Sequence, residues 1–144
     1  MLLPVTLTIA AACAVLNLWL ASRLVGGRLK GIAVGDGGSP VMLARMRAHA
    51  NFTEYAPFVL ILIAGIELAG GSPTWLWAAG VAFVLGRVLH PFGMERPVPN
   101  ALRAGGILST WLVLAALAGW AVVLVYGATH GGGVTAFAVD PPRG

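Results

Sequence analysis

Apolar residues fall in four long runs, separated by short stretches rich in glycine, proline and charge. The first run, Leu2 to Ser22, carries no charge. As a helix it would measure about 32 Å, enough to cross a hydrocarbon core of about 30 Å. It has neither a basic start nor a small-residue cleavage site, so it reads as a retained helix over about 2–25 rather than a signal peptide. After Gly35-Asp36-Gly37-Gly38, the pair Ser39-Pro40 offers an N-cap and a first-turn proline. It opens a second helix expected over 40–68. The first half of that helix is polar and the second half, Ala56 to Ile66, is apolar. Pro57 falls inside it and is expected to kink it. Gly70-Gly71 ends it, and Ser72-Pro73 repeats the cap pattern ahead of a third helix over 73–91, stopped by Pro91. Asn100 can cap a fourth, over 101–128, uncharged from Ala104 to Thr129. Residues 131–144 are rich in glycine and proline and are expected to form a flexible tail.

This pattern predicts an all-α fold, a four-helix transmembrane bundle in one domain spanning 1–130. Composition agrees. Of the 144 residues 58% are hydrophobic and only 10% charged, against roughly 25% charged in a soluble domain. That excludes a soluble globular enzyme and a disordered tail. The single cysteine, Cys13, excludes an internal disulfide or a CxxC redox pair. Within its apolar run Cys13 reads as a small packing or lipid-facing residue.

The formal net charge of +4 could suggest a nucleic-acid partner, but that would need a basic face on a soluble fold. Here the basic residues sit at the ends of the apolar runs. Arg23, Arg28, Lys30, Arg45 and Arg47 flank the first loop, and Arg87, Arg96 and Arg103 flank the third. Only Arg143 lies elsewhere, so eight of the nine fall on one side. The positive-inside rule makes that side cytoplasmic. Both termini are then expected on the other side, and no nucleic-acid partner is expected.

The second helix carries the most distinctive chemistry. At 100° per residue, Arg47, Asn51 and Glu54 fall within about 60° of one another. Arg45 and His49 fall together on roughly the opposite side. Ionisable groups at that depth cost at least about 2.5–3.5 kcal/mol each, so they should face protein or a polar cavity. One reading is an ion pair such as Arg47 with Glu54, or between helices, holding the bundle together. The other is a pocket for a small zwitterionic or anionic ligand. Arginine would grip carboxylates, glutamate an ammonium, and asparagine an amide. The third helix adds Arg87 and His90 at i, i+3. Arg103 stands in the first turn of the fourth, where a cation opposes the helix dipole unless an anion is also present. Snorkelling of Arg103 to headgroups and an interhelical role for His90 are the plainer alternatives. There is no metal-binding spacing, phosphate loop or nucleophile elbow.

The string Arg45-Met46-Arg47-Ala48-His49-Ala50-Asn51-Phe52-Thr53-Glu54 together with Gly86-Arg87-Val88-Leu89-His90 resembles the MAPEG superfamily, membrane-associated proteins in eicosanoid and glutathione metabolism. Gly35-Asp36-Gly37 before the second helix resembles its bacterial branch. The likeness covers roughly residues 10 to 125. It implies a homotrimer in a bacterial inner membrane, with glutathione in a polar pocket between subunits near the cytoplasmic side. Carried over, it implies glutathione contacts at Arg28, Arg47, Asn51, Glu54, Arg87 and His90, and a thiolate-stabilising role for Arg103. The chain also departs from the family. Ala50 replaces an arginine of some members. Met94 stands where some have tyrosine one turn after the histidine. Ala104 and Ile107 replace a serine and a tyrosine of the fourth helix, and Ser109 and Thr110 lie deeper.

The expected activity is therefore glutathione-dependent transfer to, or peroxide reduction of, a lipophilic small molecule that enters from the lipid. Such chemistry needs the thiolate, since the thiol has a pKa of about 8.5. Two alternatives stand beside it: a non-catalytic membrane protein that keeps the pocket frame, and a small four-helix transporter. The transporter would want an unpaired acid deep in the membrane.

Overall fold

The computed structural model describes residues 2–32 and 34–130 and consists of four helices: α1 (Pro4–Arg28), α2 (Pro40–Leu68), α3 (Pro73–Met94) and α4 (Ala101–His130). All four are long and apolar enough to cross a membrane. Residues 131–144, expected as the tail, lie outside the described residues. Chain neighbours pack together, α3 with α4 most extensively; α2 also touches α4, and α1 touches α3.

Each helix buries a single stripe. On α1 it is Val5, Ile9, Cys13, Leu16 and Leu20, and on α2 it includes Phe52, Ala56, Val59, Ile63 and Ile66. Three- and four-residue steps keep such side chains on one face. The opposite faces remain apolar: Leu7, Val15 and Leu18 on α1 and Leu112, Val122 and Val125 on α4 are exposed. Helices apolar all round require lipid or protein on every side, and this one is an integral membrane protein. Cys13 is buried in the core.

The helix ends follow their side chains. Ser39 Oγ accepts from the Met42 amide at 3.3 Å, capping α2. Asn100 Oδ1 accepts from the amides of Leu102 and Arg103 at 3.0 and 3.3 Å, capping α4. Ser72 makes no side-chain cap; its carbonyl accepts from Leu76 instead. Pro91 does not stop α3, which runs on to Met94. A proline ring fits helical φ and removes only one donor, and buried Pro91 and Gly93 pack this last turn inside the bundle.

Two carboxylates tie the bundle at its ends. At one end Glu95 binds both Arg23 and Arg45, whose Nε lies 2.9 Å from Oε1, while Arg23 stacks over Trp19 at 4.8 Å. This network joins α1 and α2 to the end of α3. All eight described Lys and Arg residues lie in that half of the bundle. At the other end Glu67 of α2 reaches the start of α1. Its carboxylate accepts from the amides of Val5 and Thr6 at 2.9 and 2.8 Å and from the Thr6 hydroxyl at 2.6 Å. Leu3, the residue in the N-cap position of α1, cannot supply that bond, and a carboxylate there also suits the helix dipole.

Close approach of α3 and α4 depends on glycine. A Cβ on Gly86 would strike Ser109 Oγ, and one on Gly93 would strike the Arg103 backbone. On Gly106 it would lie 2.7 Å from His90 Cβ. Small residues allow such contact in membranes, where apolar attraction between helices is weak.

Two outcomes are expected from thermal unfolding in detergent. Glu67→Ala should cost on the order of 1 kcal/mol, the worth of a helix cap, and raise hydrogen exchange at Val5 and Thr6. Unchanged exchange there would show that the carboxylate is idle. Gly93→Ala should cost about 1–3 kcal/mol through forced separation of backbones. Gly105→Ala, with open space around the new methyl, should be neutral or stabilising by up to about 1 kcal/mol. Equal losses from both would refute the close-approach account.

Candidate functional site

The α3–α4 contact gathers Arg87, His90 and the first turns of α4. Arg87 and His90 are 2% and 4% exposed. Arg87 Nη2 donates to the Gly106 carbonyl at 2.8 Å. The same oxygen accepts from Ser109 Oγ at 3.1 Å and from Thr110 Oγ1 at 2.9 Å. His90 Nδ1 lies 3.1 Å from the Arg103 carbonyl. A carbonyl only accepts, so Nδ1 carries the proton and Nε2 is left as an acceptor. These two side chains therefore grip the backbone of α4 at two carbonyls three residues apart, those of Arg103 and Gly106. They hold the stretch from which Arg103 projects.

The grip leaves polar atoms over. Arg87 Nε and Nη1 and His90 Nε2 are buried and have no partner among the described residues. Such groups are rare in native proteins and call for a water, an ion or a ligand. The two ion pairs found among the described residues both use Glu95, so Arg87 lies without a carboxylate. Its nearest electrostatic relief is the ring of Tyr55, 5.8 Å from the guanidinium carbon, within cation–π range.

Tyr55 also connects the helices. Its hydroxyl accepts from Trp111 Nε1 at 3.1 Å, bridging α2 to α4. It directly follows Glu54 and stands four residues after Asn51. The polar stripe of α2 therefore flanks the Arg87–His90 cluster through one aromatic side chain. Tyr55 was not among the residues singled out from sequence, although its i+4 position after Asn51 was a readable signal.

The other residues singled out from sequence are placed as follows. Arg47 and Glu54 are exposed on the single chain and form no ion pair with each other. Asn51 Nδ2 donates to the Arg47 carbonyl at 3.1 Å. Arg103 is exposed. Arg28 Nη1 donates to the carbonyls of Ile32 and Gly35 at 3.1 and 3.0 Å, bracing the first loop. Arg45 belongs to the Glu95 network, and His49 Nε2 pairs with Asn17 Oδ1 at 2.8 Å. Asn17 and Glu95 were missed for the same reason: each is the lone polar partner contributed by a distant helix. Met94 is half-buried and Ala104 exposed, so neither position presents a hydroxyl.

A MAPEG family profile matches residues 6–123. The chain belongs to the MAPEG family. It is also similar to the inner membrane protein YecN of Escherichia coli K12 and to the protein of the same name from Escherichia coli O6:H1. Each is 29% identical over 83 residues, a stretch covering 58% of this chain and 63% of the relative. The chain thus spans under two thirds of the length of those relatives. In this MAPEG chain the signature residues divide into two sets. Arg87 and His90 face inward onto α4, while Arg47, Asn51 and Glu54 stand on the outer side of α2.

Arg87→Met tests whether the buried guanidinium is structural. A guanidinium buried with one hydrogen bond and no carboxylate carries a desolvation cost that methionine avoids. The variant is expected to melt at or above the wild-type temperature. A fall of several degrees would show that the bond to Gly106 outweighs the desolvation of the charge.

Proposed function

We propose that this MAPEG protein lies in a bacterial inner membrane with its basic end cytoplasmic and both termini on the other side. It assembles as a homotrimer and binds glutathione between subunits, acting as a glutathione transferase or peroxidase on lipophilic electrophiles. One observation carries this reading. A mixed-charge stripe, Arg47, Asn51 and Glu54, emerges from a membrane-spanning helix with no ion pair to it among the described residues. About 10 to 20 Å of helix separates these residues from the α2 start, too deep for exposure to lipid. A neighbouring copy and a polar ligand would cover them.

The residues suit glutathione, which offers two carboxylates, one ammonium, two amides and a thiol. Arg47 and Arg28 would hold carboxylates, Glu54 the ammonium and Asn51 an amide. The unpartnered nitrogens of Arg87 and His90, buried in the single chain, would meet the ligand only where the side chains over them move aside. The bound tripeptide supplies the nucleophilic sulfur. Arg103 at the positive end of α4 would favour its anionic form, and His90 and Arg87 keep that turn in place.

A second reading is binding without turnover. It is favoured by the missing hydroxyls at Met94, Ala104 and Ile107. It is also favoured by Ser109 and Thr110, whose hydroxyls are both committed to the Gly106 carbonyl.

The experiment combines calorimetry with glutathione, ultraviolet absorbance of the thiolate, and turnover of an aromatic chloride by the detergent-solubilised protein. Arg103→Ala is expected to retain binding but lose about 100- to 1000-fold in turnover, as when one stabilising donor is removed. Glu54→Ala should lose binding. Full activity in both would remove these roles. Binding without thiolate absorbance in the wild type would assign the second reading, and absence of binding would end both.

A further inference from the structure

The basic end holds a second polar recess that glutathione chemistry does not use. It lies between the end of α1 and the start of α2, and it has a volume of about 310 Å³. Gly26, Gly27 and Lys30 line one side, Ser39, Val41, Met42 and Arg45 the other, and Ile32 the loop edge. Glycine opens it. A Cβ on Gly27 would meet Met42 Sδ at 2.7 Å, so the two helices touch there, whereas one on Gly26 would meet nothing within 4 Å.

Its cations have charge to spare. Lys30 has no carboxylate partner among the described residues. Arg45 uses Nε on Glu95 and Nη1 on the Arg23 carbonyl, leaving Nη2 without an acceptor among the described residues. Ser39 Oγ accepts from Met42, which leaves its hydroxyl proton free to donate. The acids nearby are engaged. Glu95 is shared by two arginines, and Asp36 Oδ1 accepts from the Gly38 amide.

The rim decides which anion fits. Leu29 and Val34, in the loop beyond α1, are 83% and 88% exposed, and Val41, which lines the recess, is exposed as well. Aliphatic side chains outside a membrane span are costly in water and favourable against acyl chains. A cationic recess with an aliphatic rim, level with a helix end, matches an amphiphile rather than a soluble anion. Basic pockets between helices at this level are suited to anionic headgroups.

We propose that this α1–α2 recess binds the phosphate of an anionic membrane phospholipid, with Lys30, Arg45 and Ser39 on the headgroup and Leu29 and Val34 against its chains. The bound lipid stitches the first loop to the bilayer and neutralises the uncompensated charge of Lys30. The proposal does not depend on glutathione binding.

Native mass spectrometry of the full chain in a neutral detergent tests it, with phosphatidylglycerol, phosphatidylcholine and inorganic phosphate as probes. One phosphatidylglycerol per chain is expected to be retained over phosphatidylcholine, with millimolar phosphate failing to displace it. Lys30→Gln should weaken retention about fivefold, the worth of one basic residue at an anionic surface. Gly26→Leu, whose Cβ would meet nothing within 4 Å and whose side chain fills the recess, should abolish it. Wild-type retention in both variants overturns the site. Displacement by inorganic phosphate overturns the lipid as its occupant.

Discussion

The carbonyl of Gly106 receives three side-chain donors, from Arg87, Ser109 and Thr110. That oxygen is reachable only because glycines at 86, 93 and 106 let two helix backbones approach closely. A single added methyl at these points would separate α3 from α4, withdraw Arg87 from its acceptor and release His90 from the Arg103 carbonyl. The placement of the cationic start of α4 therefore rests on missing side chains as much as on present ones. In lipid, where apolar helices gain little by leaving their solvent, small residues and interhelical hydrogen bonds supply much of the specificity.

Much of this was legible in the chain itself. Four uncharged runs announced four helices because a hydrocarbon core demands length and apolarity from each. Ser39 and Asn100 announced two of the starts, since their side chains have one obvious task there. Pro91 misled, because the penalty for proline inside a helix is finite and packing around Gly93 exceeds it. The clustering of basic residues at one end was equally plain. What stayed hidden were partnerships across distant positions. Nothing local to Glu67 indicates that it caps a helix beginning at Pro4, and nothing local to Glu95 indicates two arginines from earlier helices. Those bonds exist only once the helices lie side by side.

The candidate site divides along the same line. The stripe of Arg47, Asn51 and Glu54 followed from helical spacing alone, but its direction did not. It faces away from the bundle, with Tyr55 turning inward beside it to cover Arg87. Tyr55 thus marks the border between a surface that the chain completes itself and one that it leaves open.

Two polar anchors of the bundle carry opposite energetic signs. At the far end of the bundle Glu67 satisfies three donors and leaves α1 tied down, an arrangement whose purpose ends with stability. Arg87 makes one protein bond and leaves two nitrogens, Nε and Nη1, unmet in a buried setting. Desolvating a guanidinium without a carboxylate is costly, and a methionine of similar size would fill the space without that cost. Under the proposed function that cost is offset by what Arg87 would meet in an assembled, ligand-bound state rather than by what it does for the lone chain. The same reasoning applies to Glu54, which stands in the membrane with no cation paired to it among the described residues. Each is a charge lacking its partner, and the two lie on either side of Tyr55. A zwitterionic ligand offers both signs of charge, which a purely anionic ligand does not.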